Sequence, residues 1–397
     1  MPQARTTAVV ISLIYAAFIS LGLPDGILGA AWPQMRLHFG AHLNDNWPML
    51  SLATCGGMLS SFTSGLLLRR IGVKGVLLAT TFLTVAVIFG YAGSPSLAVI
   101  TALSFFLGLS NGAVDAGLNN FVANHLSSRH MNWLHASWGV GVSLGTVVVS
   151  GALATQRTWR SAYGVVAVLQ LCLGIAFLLR FPTLRESTKD RDTHQGEARP
   201  TFLSTLSLPT SRASMAAFFV YCGVECGTGL WIASLLHDGR HWSMKAASLM
   251  VTVYWGSLTV GRFLIGTVSQ RTTPLRLVRA SLIGVVLGTT LIAVSSTLAA
   301  HPLVAGWLTA GGLLVTGLGL SPIYPMLMHD TPRSVGTLHA LNLIGFQTAV
   351  GTLGYTLLPI AMGTVLRLTT TEWLGSMLLG LTLVLVGIVF LRERAIS

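Results

Sequence analysis

The sequence predicts an all-α membrane protein in which twelve transmembrane helices form two pseudo-repeated six-helix bundles. Of its 397 residues, 52% are hydrophobic and only 9% are charged, whereas soluble domains carry about a quarter charged residues. Apolar stretches of roughly 20 residues, which is the length that crosses the hydrocarbon core of a bilayer, recur along the chain. The 43 glycines are dispersed through these stretches, as small residues are where membrane helices pack closely.

Each predicted span occupies one apolar stretch. The first apolar run continues past signal-peptide length without a small-residue cleavage site, so we interpret it as a retained membrane helix. The twelve predicted spans are Ala8–Met35, Trp47–Leu68, Gly75–Gly93, Leu97–Val122, Trp133–Leu153, Ala162–Phe181, Arg212–Leu236, Ala246–Val268, Leu277–Leu298, Leu303–Met328, Leu338–Val365 and Trp373–Leu391.

One long polar stretch follows the sixth span and divides the chain in two. It predicts an N-terminal six-helix bundle over 1–184, a cytoplasmic linker over 185–210 and a C-terminal six-helix bundle over 211–397. The halves resemble each other weakly, because the segment from Gly65 to Arg70 after the second span aligns with that from Gly266 to Arg271 after the eighth. Duplication of this kind is typical of transporters that work by alternating access.

The basic residues indicate topology. The net charge is +12, but these residues recur in short groups between apolar stretches and form no single patch, which argues against a nucleic-acid partner. With both termini inside, seventeen of the 24 Lys and Arg residues face the cytoplasm, six face the other side, and Arg262 lies within a span. We therefore expect a multi-pass protein of the cell inner membrane, embedded in the lipid bilayer, with both termini cytoplasmic.

Three acidic residues, Asp25, Asp115 and Glu225, lie well inside predicted spans. An ionised carboxylate there costs several kcal/mol unless it is paired or hydrated. Each is therefore a functional candidate, and the alternative is a carboxylate held in an interhelical hydrogen bond or ion pair. For Arg262 two readings are also open, pairing with a carboxylate or snorkelling to the cytoplasmic side, and we favour snorkelling.

Two of these acids have informative neighbours. Asn111, Asp115 and Asn119 recur every four residues and so lie on one face of the fourth span, which must face a cavity or other helices. Asp25 follows Pro24 within a glycine-rich stretch, which predicts a broken helix with free backbone groups for a ligand.

Further polar and aromatic residues suit a polyhydroxylated solute. A carboxylate beside aromatic rings fits a sugar, whose hydroxyls need acceptors and whose C–H faces pack on rings. Tyr324 lies between two prolines, where we expect a kink. His135 is also a possible proton carrier, and for all of these residues helix packing is the alternative. The candidate solute-binding residues are Asn111, Asn119, Asn132, His135, Tyr221, Glu225, Trp231, Tyr324, Asn342 and Gln347.

The segment Gly65-Leu-Leu-Leu-Arg-Arg-Ile-Gly-Val-Lys74 resembles the loop signature of the major facilitator superfamily, which lies between the second and third helices. The resemblance implies the major facilitator fold and a gating loop containing Gly65, Arg69, Arg70, Gly72 and Lys74. The chain departs from the signature at Arg69, where an acidic residue is usual, and at Val73, where the first residue of a basic pair is usual.

A narrower resemblance is carried by three segments, Gly22-Leu-Pro-Asp-Gly-Ile-Leu-Gly-Ala-Ala-Trp-Pro33, Asn132-Trp-Leu-His-Ala-Ser-Trp-Gly-Val-Gly141 and Tyr221-Cys-Gly-Val-Glu-Cys-Gly-Thr-Gly-Leu-Trp231. Together they look like the fucose permease branch, whose members are mostly proton-coupled and occasionally sodium-coupled sugar importers. The resemblance implies that Asp25 and Asp115 form the proton-coupling pair and that the protein is a monomer. A carboxylate shielded from water can take up a proton near neutral pH, which agrees with that role.

Two transport functions therefore remain open. The first is proton-coupled symport of a monosaccharide or similar solute. The second is proton-antiporting export of drugs or metabolites, which the same fold supports. Exporters of this superfamily often have a Gly-Pro pair in the fifth helix, where this chain has Gly145-Thr146, so symport is favoured. A receptor or scaffold without transport is a third class.

The sequence argues against an enzyme. It contains no nucleophile and base constellation, no HExxH pair and no GxxxxGK phosphate loop. The four cysteines are spaced neither as metal ligands nor as a redox pair. We therefore expect no cofactor and no metal, and a small solute with a coupling ion as the partners.

Overall fold

The computed structural model describes residues 2–41, 45–155, 157–180 and 200–395. In this part of the chain, a π-helical turn at Leu235–Gly239 and 3₁₀ turns at Ser269–Arg271 and Ser296–Leu298 each follow directly on an α-helix. The α-helices are α1 (Pro2–His38), α2 (Trp47–Gly93), α3 (Leu97–His125), α4 (Ser128–Ala154), α5 (Trp159–Arg180), α6 (Phe202–Ser207), α7 (Pro209–Ser234), α8 (Met244–Val268), α9 (Pro274–Ser295), α10 (Pro302–Leu320), α11 (Ile323–Val335), α12 (Thr337–Leu368) and α13 (Trp373–Arg394).

The twelve predicted spans correspond to these helices. Ten helical segments of the described chain are long and apolar enough to cross a membrane. One of them, α2, has 47 residues, or about 70 Å at 1.5 Å per residue, and so contains both the second and third spans. The fifth span lies in α4, whose 27 residues reach about 40 Å. The described helices therefore accommodate twelve crossings.

Gly72 divides α2 into its two spans. Its φ is 67° and its ψ is 174°, a left-handed φ that favours glycine because it has no Cβ. Lys74, just after the turn, donates from Nζ to the Leu178 carbonyl on α5 at 3.4 Å. The predicted gating loop thus contains a turn centred on one residue. Arg69 is half-buried there and Arg70 is exposed.

The helices pack into two compact units. The first comprises Met1–Phe121 and Leu134–Pro200, and the second comprises Val122–Trp133 and Thr201–Ser397. Most of the predicted linker, from 185 to 199, lies outside the described residues. The described remainder contains α6, where the Thr201 side chain caps the helix by accepting from Ser204 N–H at 3.1 Å.

The core of the first unit is apolar and aromatic, with α5 packed against α1 and α2. Tyr91 and Tyr163 meet edge to face, with ring centroids 5.4 Å apart. The Tyr91 hydroxyl is satisfied by Ser104 Oγ at 2.6 Å, as a buried phenol requires. This core includes Leu23, Ile27, Trp32 and Met35 of α1, which fixes the helix that carries Asp25.

In the second unit, α7 packs on α12 and α13, and α9 packs on α10 and α13. The α3–α4 connection, Val122–Trp133, belongs to this unit. Trp133 Nε1 donates to the Phe263 carbonyl of α8 at 3.3 Å, and Ser128 Oγ donates to the Ser269 carbonyl at 3.2 Å. Asn132, a predicted solute ligand, is therefore placed in the second unit, whereas His135 is placed in the first.

Candidate functional site

A chain of three polar side chains crosses from α3 to α4 in the first unit. Asn119 Nδ2 donates to Asp115 Oδ1 at 2.9 Å, and Asn119 Oδ1 lies 3.0 Å from His135 Nε2. The bond to Asp115 turns the Asn119 amide oxygen toward His135, and because an amide oxygen can only accept, His135 Nε2 is the donor in this arrangement. Asp115 is half-buried, while Asn119 and His135 are buried. The structure thus joins three predicted site residues.

The same face of α3 continues at Asn111 into different surroundings. Asn111 lines a cavity of about 20 Å³ in the first unit, together with Ser20, Thr81, Thr84 and Gln170. A cavity of that size holds about one water molecule, and its polar lining gives such a water hydrogen-bond partners. The face of α3 that carries Asn111, Asp115 and Asn119 therefore borders two neighbouring polar regions.

Asp25 is exposed and accepts a hydrogen bond at its carboxylate. Trp138 Nε1, on α4, donates to Asp25 Oδ2 at 3.3 Å. We did not predict a role for Trp138, although its spacing of three from His135 places both side chains on one face of α4. Asp25 and Asp115 are the two carboxylates within the described membrane helices of the first unit, and a neutral side chain donates to each.

The predicted broken helix at Asp25 is wrong, because α1 is continuous from Pro2 to His38. A proline in a helix leaves the carbonyl four residues earlier without its N–H donor. Here that carbonyl belongs to Ser20, and Gln170 Nε2 donates to it at 2.9 Å. Ser20 Oγ in turn donates to Gln170 Oε1 at 2.6 Å. A side chain of α5 thus replaces the missing backbone donor, and the helix continues.

The glycines around Pro24 allow close packing. A Cβ on Gly26 would lie 2.0 Å from the Val142 carbonyl oxygen of α4, and one on Gly141 would lie 1.9 Å from the Ile19 carbonyl oxygen of α1. The two backbones approach closely because both helices lack side chains there. Residues that we expected to free the backbone for a ligand hold α1 against α4.

In the second unit Glu225 forms a buried ion pair. Arg262 Nη2, on α8, lies 2.8 Å from Glu225 Oε1, on α7. The preferred prediction that Arg262 snorkels is therefore wrong. The guanidinium has a carboxylate partner on the adjacent helix, and pairing avoids leaving two isolated buried charges. The interhelical ion pair that was the alternative for Glu225 is the arrangement found.

The remaining aromatic candidates of the second unit contact neighbouring helices. Trp231 Nε1 donates to the Pro359 carbonyl of α12 at 2.9 Å. Tyr221 OH donates to the Leu320 carbonyl at the end of α10 at 3.1 Å. The kink predicted at Tyr324 is present, since α10 ends at Leu320 and α11 begins at Ile323.

The amide candidates are likewise engaged in hydrogen bonds. Asn342 Nδ2 donates to Thr205 Oγ1 of α6 at 3.3 Å, and Gln347 Nε2 donates to Thr331 Oγ1 of α11 at 3.0 Å. Asn132 Nδ2 donates to the Ser128 carbonyl at 3.0 Å. In the part of the chain that the structure describes, no group of three His, Cys, Asp or Glu side chains is arranged as metal ligands.

An all-helical chain with about twelve membrane crossings, two compact units and carboxylates inside the crossings is an integral membrane protein of the transporter class. Residues 14–359 match the family model described as Major Facilitator Superfamily. The chain therefore belongs to the major facilitator superfamily. It is a multi-pass secondary transporter and not an enzyme.

Solved structures confirm the predicted fold class. The chain is similar to the E. coli fucose:proton symporter FucP, with a TM-score of 0.72 and 16% identity, over 97% of this chain and 98% of that one. It is also similar to the human organic anion transporter MFSD10, with a TM-score of 0.74 and 14% identity, over 96% and 99%. At such low identities the similarity establishes the fold alone.

Relatives found by sequence are distant. The chain is 23% identical to Bypass of stop codon protein 6 of Saccharomyces cerevisiae, over 64% of this chain and 56% of that protein. It is 28% identical to the 4-hydroxybenzoate transporter PcaK of Pseudomonas aeruginosa, over 41% and 37%. It is 22% identical to the glucose/mannose transporter GlcP of Bacillus subtilis, over 65% of each. The matches thus span less than two thirds of these relatives.

Proposed function

We propose that this transporter is a proton-coupled symporter of a monosaccharide or a similar polyhydroxylated solute. The observation that carries the proposal is the hydrogen-bonded chain Asp115, Asn119 and His135 in the first unit, with Asp25 as a second carboxylate on α1. The similarity to a fucose:proton symporter and to a glucose/mannose transporter supports this solute class.

The hydrogen-bonded chain of Asp115, Asn119 and His135 suits proton coupling because the carboxylate is bonded by a neutral amide. Asp115 has one neutral amide donor, and no ion pair to it is found among the described residues. An unpaired carboxylate in a membrane helix is stabilised when it takes up a proton. Asn119 joins it to the imidazole of His135, a side chain that is able to carry a proton. We assign proton coupling to Asp25 and Asp115, with the proton favoured over sodium as the coupling ion.

The proposed orientation rests on the basic residues, and the proposed assembly rests on the family resemblance. The excess of Lys and Arg on one side supports an inner-membrane location with cytoplasmic termini, and we propose a monomer that acts without nucleic acid. Of the polar candidates, those with exposed or half-buried side chains are suited to contact the solute directly. They are Asn111, Trp231 and Tyr324.

The direct test is uptake into proteoliposomes. Labelled hexoses, deoxyhexoses and 4-hydroxybenzoate are offered under separate proton and sodium gradients, to the unchanged protein and to Asp25→Asn and Asp115→Asn. We expect sugar accumulation that needs the proton gradient and is lost in both variants. Asp238→Asn is the matched control, because Asp238 is exposed near the end of α7 and should retain uptake.

Other outcomes would contradict the proposal in distinguishable ways. Accumulation of 4-hydroxybenzoate without sugar would place the solute among aromatic acids. If no solute is taken up and a drug preloaded into the proteoliposomes is lost when a proton gradient is imposed, the protein is an exporter. Uptake that requires only the sodium gradient would show that the coupling ion is sodium and not the proton.

A further inference from the structure

The turn between α10 and α11 leaves backbone carbonyls without helical donors. In an α-helix the carbonyl of one residue accepts from the N–H four residues later. Pro322 and Pro325 have no N–H, so the carbonyls of Leu318 and Ser321 lose their donors. Unpaired carbonyls in a membrane interior cost several kcal/mol each, so other groups must satisfy them.

Side chains supply donors to both of these carbonyls, and a third side chain donates to the carbonyl of Leu320 between them. Ser321 Oγ donates to the Leu318 carbonyl at 2.7 Å, and Arg262 Nε donates to the Ser321 carbonyl at 3.3 Å. Tyr221 OH donates to the Leu320 carbonyl at 3.1 Å. Two of the three donors come from α7 and α8, outside the bent segment. The bend is therefore held by neighbouring helices as well as by its own sequence.

Glu225 holds the guanidinium that performs this function. Its Oε1 accepts from Arg262 Nη2 at 2.8 Å, and that nitrogen also lies 3.5 Å from Tyr221 OH. The backbone of Glu225 is fixed as well, because Tyr254 OH donates to its carbonyl at 2.8 Å. Glu225 and Arg262 are 7% and 5% exposed, so both act on their protein neighbours and not on a freely accessible ligand.

Tyr324 is the residue placed by the bend. It is the second residue of α11, and its ring packs on Phe218 and Tyr221 with centroid separations of 4.6 and 5.8 Å. It is half-buried, whereas Pro325 after it is buried. Its orientation thus depends on where α11 begins relative to α7.

We propose that Arg262 and Glu225 are positioning residues for transport, which fix the α10–α11 bend through the Ser321 carbonyl and thereby set Tyr324 for contact with the solute. The contact with solute rests on the proposed function. The fixing of the bend rests only on the hydrogen bonds described. Glu225, which we predicted to bind sugar, acts in this arrangement through Arg262.

The conservative variant Arg262→Lys separates this role from charge pairing. A lysine keeps one positive charge for Glu225 but lacks the planar fork that bonds a carboxylate and a carbonyl at once. We expect the KM for solute to rise about tenfold, the size expected for one lost charge-assisted hydrogen bond, with kcat much less affected. Tyr221→Phe, which removes the donor to Leu320 and the longer contact with Arg262 Nη2, should give a smaller rise of the same kind.

The charge-swapped pair Glu225→Arg with Arg262→Glu is a sharper variant. It restores an ion pair but places a carboxylate against the Ser321 carbonyl, so we expect it to remain defective. If the swap recovers the original KM, the pair acts by charge alone and the proposal is wrong.

A second measurement is independent of any solute. Spin labels are attached at Trp307→Cys on α10 and Arg333→Cys on α11, both exposed positions. The distance between the two labels, measured by pulsed electron paramagnetic resonance, reports the bend. Cys55 and Cys172, which are exposed, are replaced by serine. We expect the distance distribution to shift or broaden in Arg262→Lys and to stay unchanged in Arg276→Lys, since Arg276 is exposed on α9.

The two measurements separate the proposals. An unchanged distance distribution in both Arg262→Lys and Tyr221→Phe would overturn the inference about the bend. A changed distribution in a protein that transports no sugar would support the bend and refute the proposed solute.

Discussion

Among single residues, Gln170 offers a measurable case of one side chain replacing a backbone donor. Gln170→Leu leaves the Ser20 carbonyl unpaired, and we expect the free energy of unfolding to fall by about 1–3 kcal/mol. In a Pro24→Ala background the new N–H can donate to Ser20, so the same change should cost much less. Thermal unfolding of the four proteins of this cycle in detergent measures both costs. Equal costs in the two backgrounds would show that Gln170 stabilises α1 in another way.

Asn119 connects Asp115 to His135, so Asn119→Leu should impair coupling more than it impairs solute movement. We expect proton-driven uptake to fall about tenfold or more. Exchange of labelled for unlabelled solute at equal concentrations, which needs no net proton transfer, should be retained. The measurement is the ratio of the two rates in proteoliposomes.

Asn342→Leu is the matched control for that experiment, because it removes a buried amide hydrogen bond in the second unit. It should change both rates alike. A similar ratio for the two variants would argue against a coupling role for Asn119.

At the level of helices, the contact between α1 and α4 has no room for side chains at its glycines. A valine at Gly26 would place Cβ 2.0 Å from the Val142 carbonyl oxygen, so the helices must separate. We expect Gly26→Val to destabilise the first unit by about 1–3 kcal/mol or more, seen as a lower melting temperature and aggregation on size exclusion. Gly151→Val is the control, because nothing lies within 4 Å of a Cβ there. A normal melting temperature for Gly26→Val would show that the two helices adjust.

For the whole molecule, the distribution of basic residues predicts orientation. With Cys55 and Cys172 replaced by serine, a cysteine at exposed Arg157 should react with an impermeant thiol reagent in intact cells. A cysteine at exposed Arg271 should react only after the membrane is opened, because that loop is predicted to be cytoplasmic. The reverse labelling pattern would show that the predicted orientation in the membrane is wrong.

The fold could be predicted because span length and apolarity are properties of contiguous sequence. The site could be predicted only in part. The link from Asp115 to Asn119 follows from a spacing of four on one helix, whereas the partner of Arg262 lies on another helix, at a distance that linear spacing does not determine. The prediction of a broken helix from the glycines near Pro24 was wrong for a related reason. Glycine serves broken helices and close packing equally well, and only the position of α4 decides between them.

The turn at Gly72 has a consequence for how the protein is made. One residue with a left-handed φ separates two crossings, so there is almost no connecting chain to cross or rest on the membrane surface. We therefore expect the two crossings to enter the bilayer as a hairpin, and the positive charges of Arg69, Arg70 and Lys74 predict that its tip stays on the cytoplasmic side. On this expectation, a substitution at the tip of the hairpin should affect membrane insertion as well as transport.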